Sequence, residues 1–272
     1  MKLGVVGKGG IGKTTIAGLL ARAYVERGAS VLAIDTDSNP NLGLSLGLDQ
    51  ASADEVPVLP RALVVGTGGA NGPAALLERY GRMTPAGVTL LHALQVTQAG
   101  AGCTCSGHAS VRSLLGATID QADVTLVDME AGLEHLSRAG GTLAAADVLL
   151  VVMTPSRISV LTAARTLVLA EELGIPRVYG LGNRARGAED IDLLTNAAAE
   201  YGLTLAGIVP FDPDVAEAER AGTGLQPGQA VAARSAVASL VNFLRSSDGE
   251  RLALLRQRER ITRRLAQLER TG

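Results

Sequence analysis

At 272 residues the chain can form one large α/β core, and with 2 % aromatic residues and no tryptophan that core has to be aliphatic. A formal net charge of −2 argues against a general electrostatic grip on nucleic acid or an anionic membrane. No window reaches the ~18 unbroken apolar residues of a membrane span, and the start runs at once into LGVVG without the pattern of a secretory leader. The expectation is a cytoplasmic protein with no nucleic-acid partner and no integral membrane association.

In chain order, apolar β-branched runs fall at 2–7, 30–35, 87–93, 123–129, 147–153, 177–183 and 205–210. Helical patterns lie between or after them at 13–27, 109–119, 133–145, 157–173, 188–201, 213–221 and 228–246. The runs are mostly continuous rather than alternating, as in strands covered on both faces. An α/β fold follows: an open, mostly parallel sheet with helices on both sides. No repeat or linker splits the chain, so residues 1–246 are expected to form one domain and 247–272 a basic helical tail. In the tail Leu254, Ile261, Leu265 and Leu268 make a thin apolar stripe. It reads as a solvated helix packed on its own domain, with oligomer contact and membrane-surface binding as alternatives. The Gly-rich stretch 66–73 reads as a connection.

Residues 7–15, GKGGIGKTT, follow the first strand directly. Gly7, Gly12, Lys13 and Thr14 fit G-x-x-x-x-G-K-S/T between a strand and a helix, the context a phosphate loop needs. Backbone N–H groups from Gly7 through Gly9, Gly10, Ile11 and Gly12 can turn inward on a phosphate chain, and the helix start adds its dipole. For ATP or ADP, Lys13 is expected on the β- and γ-phosphates, the Thr14 hydroxyl on Mg²⁺ and Thr15 on the α-phosphate. Lys8 has no place in that minimal scheme. KGGIGKTT resembles the deviant Walker A motif of the MinD, ParA and nitrogenase iron-protein class of dimerising ATPases. The resemblance implies that Lys8 reaches across a homodimer interface to the phosphates held by the partner subunit, where the transition state needs positive charge.

AIDTDSNPNLG (33–43) follows the second strand, and Asp35 and Asp37, two apart, point to different sides of an extended chain. In the resembling class the second aspartate orients the attacking water. That role is carried to Asp37, which joins Lys8 and Lys13 as a catalytic residue; Asp35 is given a Mg²⁺ role through water. Asn39 and Asn41 are expected to stabilise the loop. VTLVDMEAG (124–132) is an apolar strand ending in an acid, so Asp128 is expected to bind Mg²⁺ through water and Gly132 to sense the γ-phosphate. Asn183 ends a strand with an amide that can donate and accept, as an adenine edge requires. The turn Pro210, Phe211, Asp212 can offer backbone groups to the base. Both match the class's adenine pocket; a capping role is the alternative for Asn183.

The two cysteines, Cys103 and Cys105, stand one residue apart in AGAGCTCSGHAS. Two thiolates are too few for a closed tetrahedral site, but a two-fold dimer supplies four. Such a site suits Ni²⁺, Zn²⁺, Cu(I) or an iron–sulfur cluster. His108 reads as a loop histidine, with a ligand role as the alternative. This C-x-C, with VDMEAGLEHLSRAG (127–140), PSRISVLTAARTLVLAEELGI (155–175) and VPFDPDVAEAERAG (209–222), resembles the CooC family of carbon monoxide dehydrogenase maturation ATPases from residue 1 to about 245. The resemblance implies ATP hydrolysis coupled to dimerisation, a metal bridged by C-x-C between subunits, and a nickel enzyme such as carbon monoxide dehydrogenase as client. The alternatives are a ParA/MinD-type positioning ATPase and an iron-protein-like reductase with a bridging cluster.

Overall fold

VLLVVM at 148–153 is buried at all six positions, and VLAID at 31–35 and VTLVD at 124–128 are buried throughout. Neither face of the central sheet meets water along these runs, which is why they read as unbroken apolar segments. The protein is seen here in a computed structural model that describes residues 1–60, 72–93, 121–131, 143 and 145–246. The chain runs β1 (Lys2–Val6), α1 (Lys13–Val25), β2 (Val31–Asp35), α2 (Leu42–Ser45), α3 (Gln50–Asp54), α4 (Pro73–Tyr80), β3 (Arg82–Met83) and β4 (Thr89–His92). It continues with β5 (Val124–Asp128), β6 (Val148–Met153), α5 (Arg157–Glu172), β7 (Arg177–Ala185), α6 (Ala188–Glu200), β8 (Leu205–Pro210), α7 (Pro213–Ala221) and α8 (Val231–Arg245).

The strand order is β3-β4-β2-β5-β1-β6-β7-β8, parallel except for the short β3–β4 pair at one edge. All seven expected strands are present. The two-residue β3 and the short α2, α3 and α4 were not expected, being too brief or too weakly patterned to show a period. Pro73, the end of the Gly-rich connection, opens α4. The expected helix at 109–119, nearly all of that at 133–145 and the tail at 247–272 lie outside the described residues. No described helix is long and apolar enough to cross a membrane.

Side-chain alternation divides the core in two. Leu3, Val5, Ala33, Leu126 and Leu150 pack with Ile16, Leu20 and Tyr24 of α1 and Val237 and Leu240 of α8. Val6, Ile34, Val127 and Val151 pack with Val160, Ala163 and Leu167 of α5 and Leu194 of α6. From central β1 the chain crosses to one side of the sheet through α1, and β6 lies on the other, so the crevice above β1 is where an open α/β sheet takes its ligand. Parallel register also aligns Val5, Asp128, Asp35 and His92 in one row at the carboxyl edge. Their side chains therefore share the α1 face.

His92 is 2 % exposed, and its Nε2 has no hydrogen-bond partner among the described residues. Burial pushes its pKa down from 6.5 to about 4. A depressed histidine contributes stability that is full above the unfolded value and is lost as pH falls towards 4, because the unfolded chain gains the proton first. In urea denaturation, the stability difference between wild type and His92→Gln should therefore shift towards the variant by roughly 1–2 kcal/mol between pH 7 and pH 5.

Candidate functional site

The phosphate loop is shaped by backbone that only glycine tolerates. Gly7 has φ +146°, and a Cβ there would lie 2.5 Å from Ile11 Cδ1 and 2.6 Å from the Val152 carbonyl. Gly12 is left-handed, and a Cβ there would meet Asn183 Nδ2 at 2.6 Å. No side chain caps α1, so its first N–H groups are left for an anion. Lys13, 7 % exposed, folds back to donate from Nζ to the Lys8 carbonyl at 3.2 Å. Burial lowers its pKa, while Asp128, Asp37 and Glu130 oppose the shift. Lys8 points its side chain into solvent, with no ion-pair partner among the described residues.

The two acidic segments meet below this loop. Thr36, fully buried, donates its N–H and its hydroxyl to the Asp128 carbonyl at 3.0 and 2.9 Å and accepts from Glu130 N at 3.3 Å. Asp35 Oδ1 accepts from Asp37 N, and Oδ2 from Asn41 N and Leu42 N, at 2.9–3.0 Å. Its visible work is thus to fold residues 37–42 back over the strand end. Asn39 and Asn41 stabilise that loop as expected, through Asn39 N to Asp37 Oδ1 and Asn41 Nδ2 to the Asn39 carbonyl. Burial pushes Asp35 up to about 6 despite its three N–H donors. Asp128 is 2 % exposed, and neither of its carboxylate oxygens has a hydrogen-bond partner among the described residues. Its pKa is raised, first by burial and then by Asp35; Thr14 and Lys13 pull the other way, though no hydrogen bond of ordinary geometry forms.

A buried carboxylate with two orphaned oxygens beside a second carboxylate is a costly arrangement that a cation relieves. The donors fit Mg²⁺, which takes one or two carboxylates with a hydroxyl and phosphate oxygens and keeps several waters. Among the described residues there is no cluster of three or more His, Cys, Asp and Glu side chains built to cage a metal. Cys103, Cys105, His108 and Gly132 lie outside the described residues.

Asn183, Pro210, Phe211 and Asp212 do converge, on a cavity of about 250 Å³ beside Thr15. What they present differs from the sequence expectation. Asn183 donates Nδ2 to the Ile11 carbonyl at 2.8 Å and accepts from Arg184 N at 3.0 Å, so it braces the phosphate loop with one of its two amide hydrogens. Phe211 N donates to the Ala185 carbonyl at 2.8 Å. Asp212 caps α7 through Asp214 N and also accepts from Ala233 N. Thr15 donates its hydroxyl to Glu219 Oε1 at 2.5 Å instead of leaving it open to a phosphate.

Four neighbours escaped the sequence reading: Arg184, Arg186, Glu219 and Glu130. Arg184 carries φ +62°, unusual outside glycine, donates to the Gly10 carbonyl at 3.1 Å and pairs with Glu219 at 2.9 Å. Arg186 stacks its guanidinium 3.7 Å above the Phe211 ring. Ser38 donates to Glu130 at 3.2 Å. The residues that Glu219 joins lie up to 204 positions away, so no local signal marks it.

A glycine-rich loop over a central parallel strand, an uncapped helix start and two acidic strand ends define a P-loop nucleotide hydrolase. The CbiA family, the CobQ/CobB/MinD/ParA nucleotide binding domain, matches residues 5–225, and the chain belongs to it and is an ATPase. Carbon monoxide dehydrogenase accessory protein CooC of Rhodospirillum rubrum is 36 % identical over 239 residues, covering 82 % of this chain and 88 % of CooC. An uncharacterized ATP-binding protein of Methanocaldococcus jannaschii is 34 % identical over 80 % of this chain and 88 % of its own. Septum site-determining protein MinD of Pyrococcus horikoshii, complexed with Mg-ADP, shares the fold with TM-score 0.70 at 22 % identity, covering 91 % of this chain and 97 % of that one. The family resemblance and the sheet expected from the sequence both hold.

Asp128 gives the site a pH signature. A raised carboxyl contributes stability below its unfolded value that is lost as pH rises through its folded value. In nucleotide- and metal-free protein, Asp128→Asn should melt several degrees higher than wild type at pH 8, and the advantage should vanish towards pH 4, as read by thermal denaturation across pH.

Proposed function

We propose that the protein is an ATP-dependent metallochaperone that matures nickel carbon monoxide dehydrogenase or a related metalloenzyme. The observation that carries this is the C-x-C pair Cys103 and Cys105 in a chain 36 % identical to CooC over 239 residues. ATP binds with its phosphates in the loop Gly7–Thr15, Lys13 on the β- and γ-phosphates. Thr14 and, through water, Asp128 and Asp35 hold Mg²⁺, whose contribution is to neutralise phosphate charge among these acids. Asp37 orients the attacking water, and Lys8 crosses to the partner subunit, for which its solvent-facing side chain is available. ATP thus joins two copies of the chain, and the four thiolates of two C-x-C segments take Ni²⁺ or Zn²⁺ at the dimer axis for delivery to the client in the cytoplasm.

Glu219 occupies the hydroxyl of Thr15 that the α-phosphate would use. Glu219→Ala should tighten ADP binding several-fold in calorimetry, since no anionic carboxylate then has to leave. Lys8→Ala should keep ATP binding, lose the ATP-dependent dimer in native mass measurements and hydrolyse ATP at least about a hundredfold more slowly.

The deciding experiment titrates Ni²⁺ and Zn²⁺ into anaerobically purified wild type and a Cys103→Ser, Cys105→Ser double variant, with and without ATP. One metal per dimer, lost in the double variant, is expected. Equal metal binding in both proteins, or none in either, would overturn the metallochaperone reading and leave a MinD/ParA-like ATPase.

A further inference from the structure

At the amino-terminal edge of the sheet, opposite the phosphate loop, lies a cleft of about 460 Å³ that the ATPase chemistry does not use. Tyr24 near the end of α1, Arg27 in the turn after it, Arg177 at the start of β7 and Arg245 at the end of α8 all line it, with Asp123 ahead of β5. Three guanidinium groups thus converge from segments far apart in the chain. Arg27 donates to the Ala23 and Ala238 carbonyls at 2.8 and 3.0 Å and to Asn242 Oδ1 at 3.3 Å. Arg177 makes only a long 3.4 Å contact from Nε to the Asp147 carbonyl, and Arg245 has no side-chain partner among the described residues. Asp123 accepts from Ser30 N and Oγ at 2.8 and 2.7 Å and pairs with none of the three arginines.

Tyr24 supplies an independent observation. It is 2 % exposed, and its hydroxyl is buried with no hydrogen-bond partner among the described residues. A buried phenol ordinarily finds one, since it can both donate and accept. Tyr24 lines the same cleft as Arg245, Arg177 and Arg27. Arg27 and Arg245 each follow or end a helix, where a cation complements the dipole. That accounts for two of the charges. It does not account for Arg177 at a strand start, or for a hydroxyl left without a partner.

We propose that this cleft is a binding site for a small phosphorylated anion, gripped by Arg177 and Arg245 and completed by the Tyr24 hydroxyl. Planar guanidinium forks match phosphate oxygens in pairs, and Arg177 and Arg245 have donors to spare. Arg27 adds charge while its own donors hold α8 to α1. The site is separate from the nucleotide: Lys13 and Tyr24 stand near opposite ends of α1, roughly 15–20 Å apart at 1.5 Å per residue.

The test uses the full chain with the phosphate loop saturated by ADP and Mg²⁺, and inorganic phosphate as probe at constant ionic strength set with chloride. Calorimetry should show one saturable phosphate site per chain. Arg177→Ala with Arg245→Ala should weaken it at least tenfold and Tyr24→Phe about threefold, with ATP hydrolysis unchanged. Absence of saturable binding in wild type, or equal binding in the double variant, would overturn the proposal. A third arm neutralises the carboxylates that follow α8 in sequence, Asp248→Asn with Glu250→Gln. Phosphate binding that appears only there would also overturn it, because the arginines would then be serving the chain's own acidic residues.

Discussion

Asp35 and Asp128 stand side by side in register on adjacent strands, both buried, and their mutual repulsion is the constraint around which the ATP end of the molecule is arranged. Burial raises both carboxyls, and Asp35 raises Asp128 further, so the pair resists full ionisation. The protein answers unequally. Asp35 receives three backbone N–H donors, whereas among the described residues the Asp128 oxygens receive none. Thr36 locks the two segments together from behind, tying the main chain of one to the main chain of the other. A cation in front of Asp128 would therefore be felt by both acidic segments at once.

The same logic governs Lys13. Its ammonium is drawn into a buried position by three acids and held against the Lys8 carbonyl. A phosphate chain gives it a better partner than a neutral carbonyl. Lys13 and Thr15 are close in sequence, but their partners come from the opening of the loop and from α7. On the far side, α7 has no fully buried residue and is held over the loop by Arg184, Glu219 and the Asp212 cap. An ion pair more than a third exposed is worth about a kilocalorie or less. Exchange of that contact for a ligand therefore costs little.

The two ends of α1 carry opposite electrostatic problems. At its start, an excess of acid around one lysine calls for a cation; at its end, an excess of arginine around an orphaned phenol calls for an anion. Between them the helix packs Ile16, Leu20 and Tyr24 into the sheet with α8 behind it. The aliphatic core of this low-aromatic chain thus separates two polar regions of opposite need, and neither can relieve the other at that distance in a screened medium.

All seven main strands were legible because burial on both faces writes itself as an unbroken apolar run, and the phosphate loop because its geometry is built by consecutive residues. Asp35, Asp37 and Asp128 were legible as acids at strand ends. What the sequence by itself determined was therefore the fold class, the phosphate loop and the family. The tertiary structure alone decided that Asn183 braces the phosphate loop, since the Ile11 carbonyl it binds is 172 residues away. It also decided that Glu219 holds Thr15, that Asp35 folds a loop while Asp128 is left without a donor, and that Arg27, Arg177 and Arg245 meet around Tyr24. Each of those depends on register and crossover, which bring distant residues within bonding distance and which no local pattern encodes.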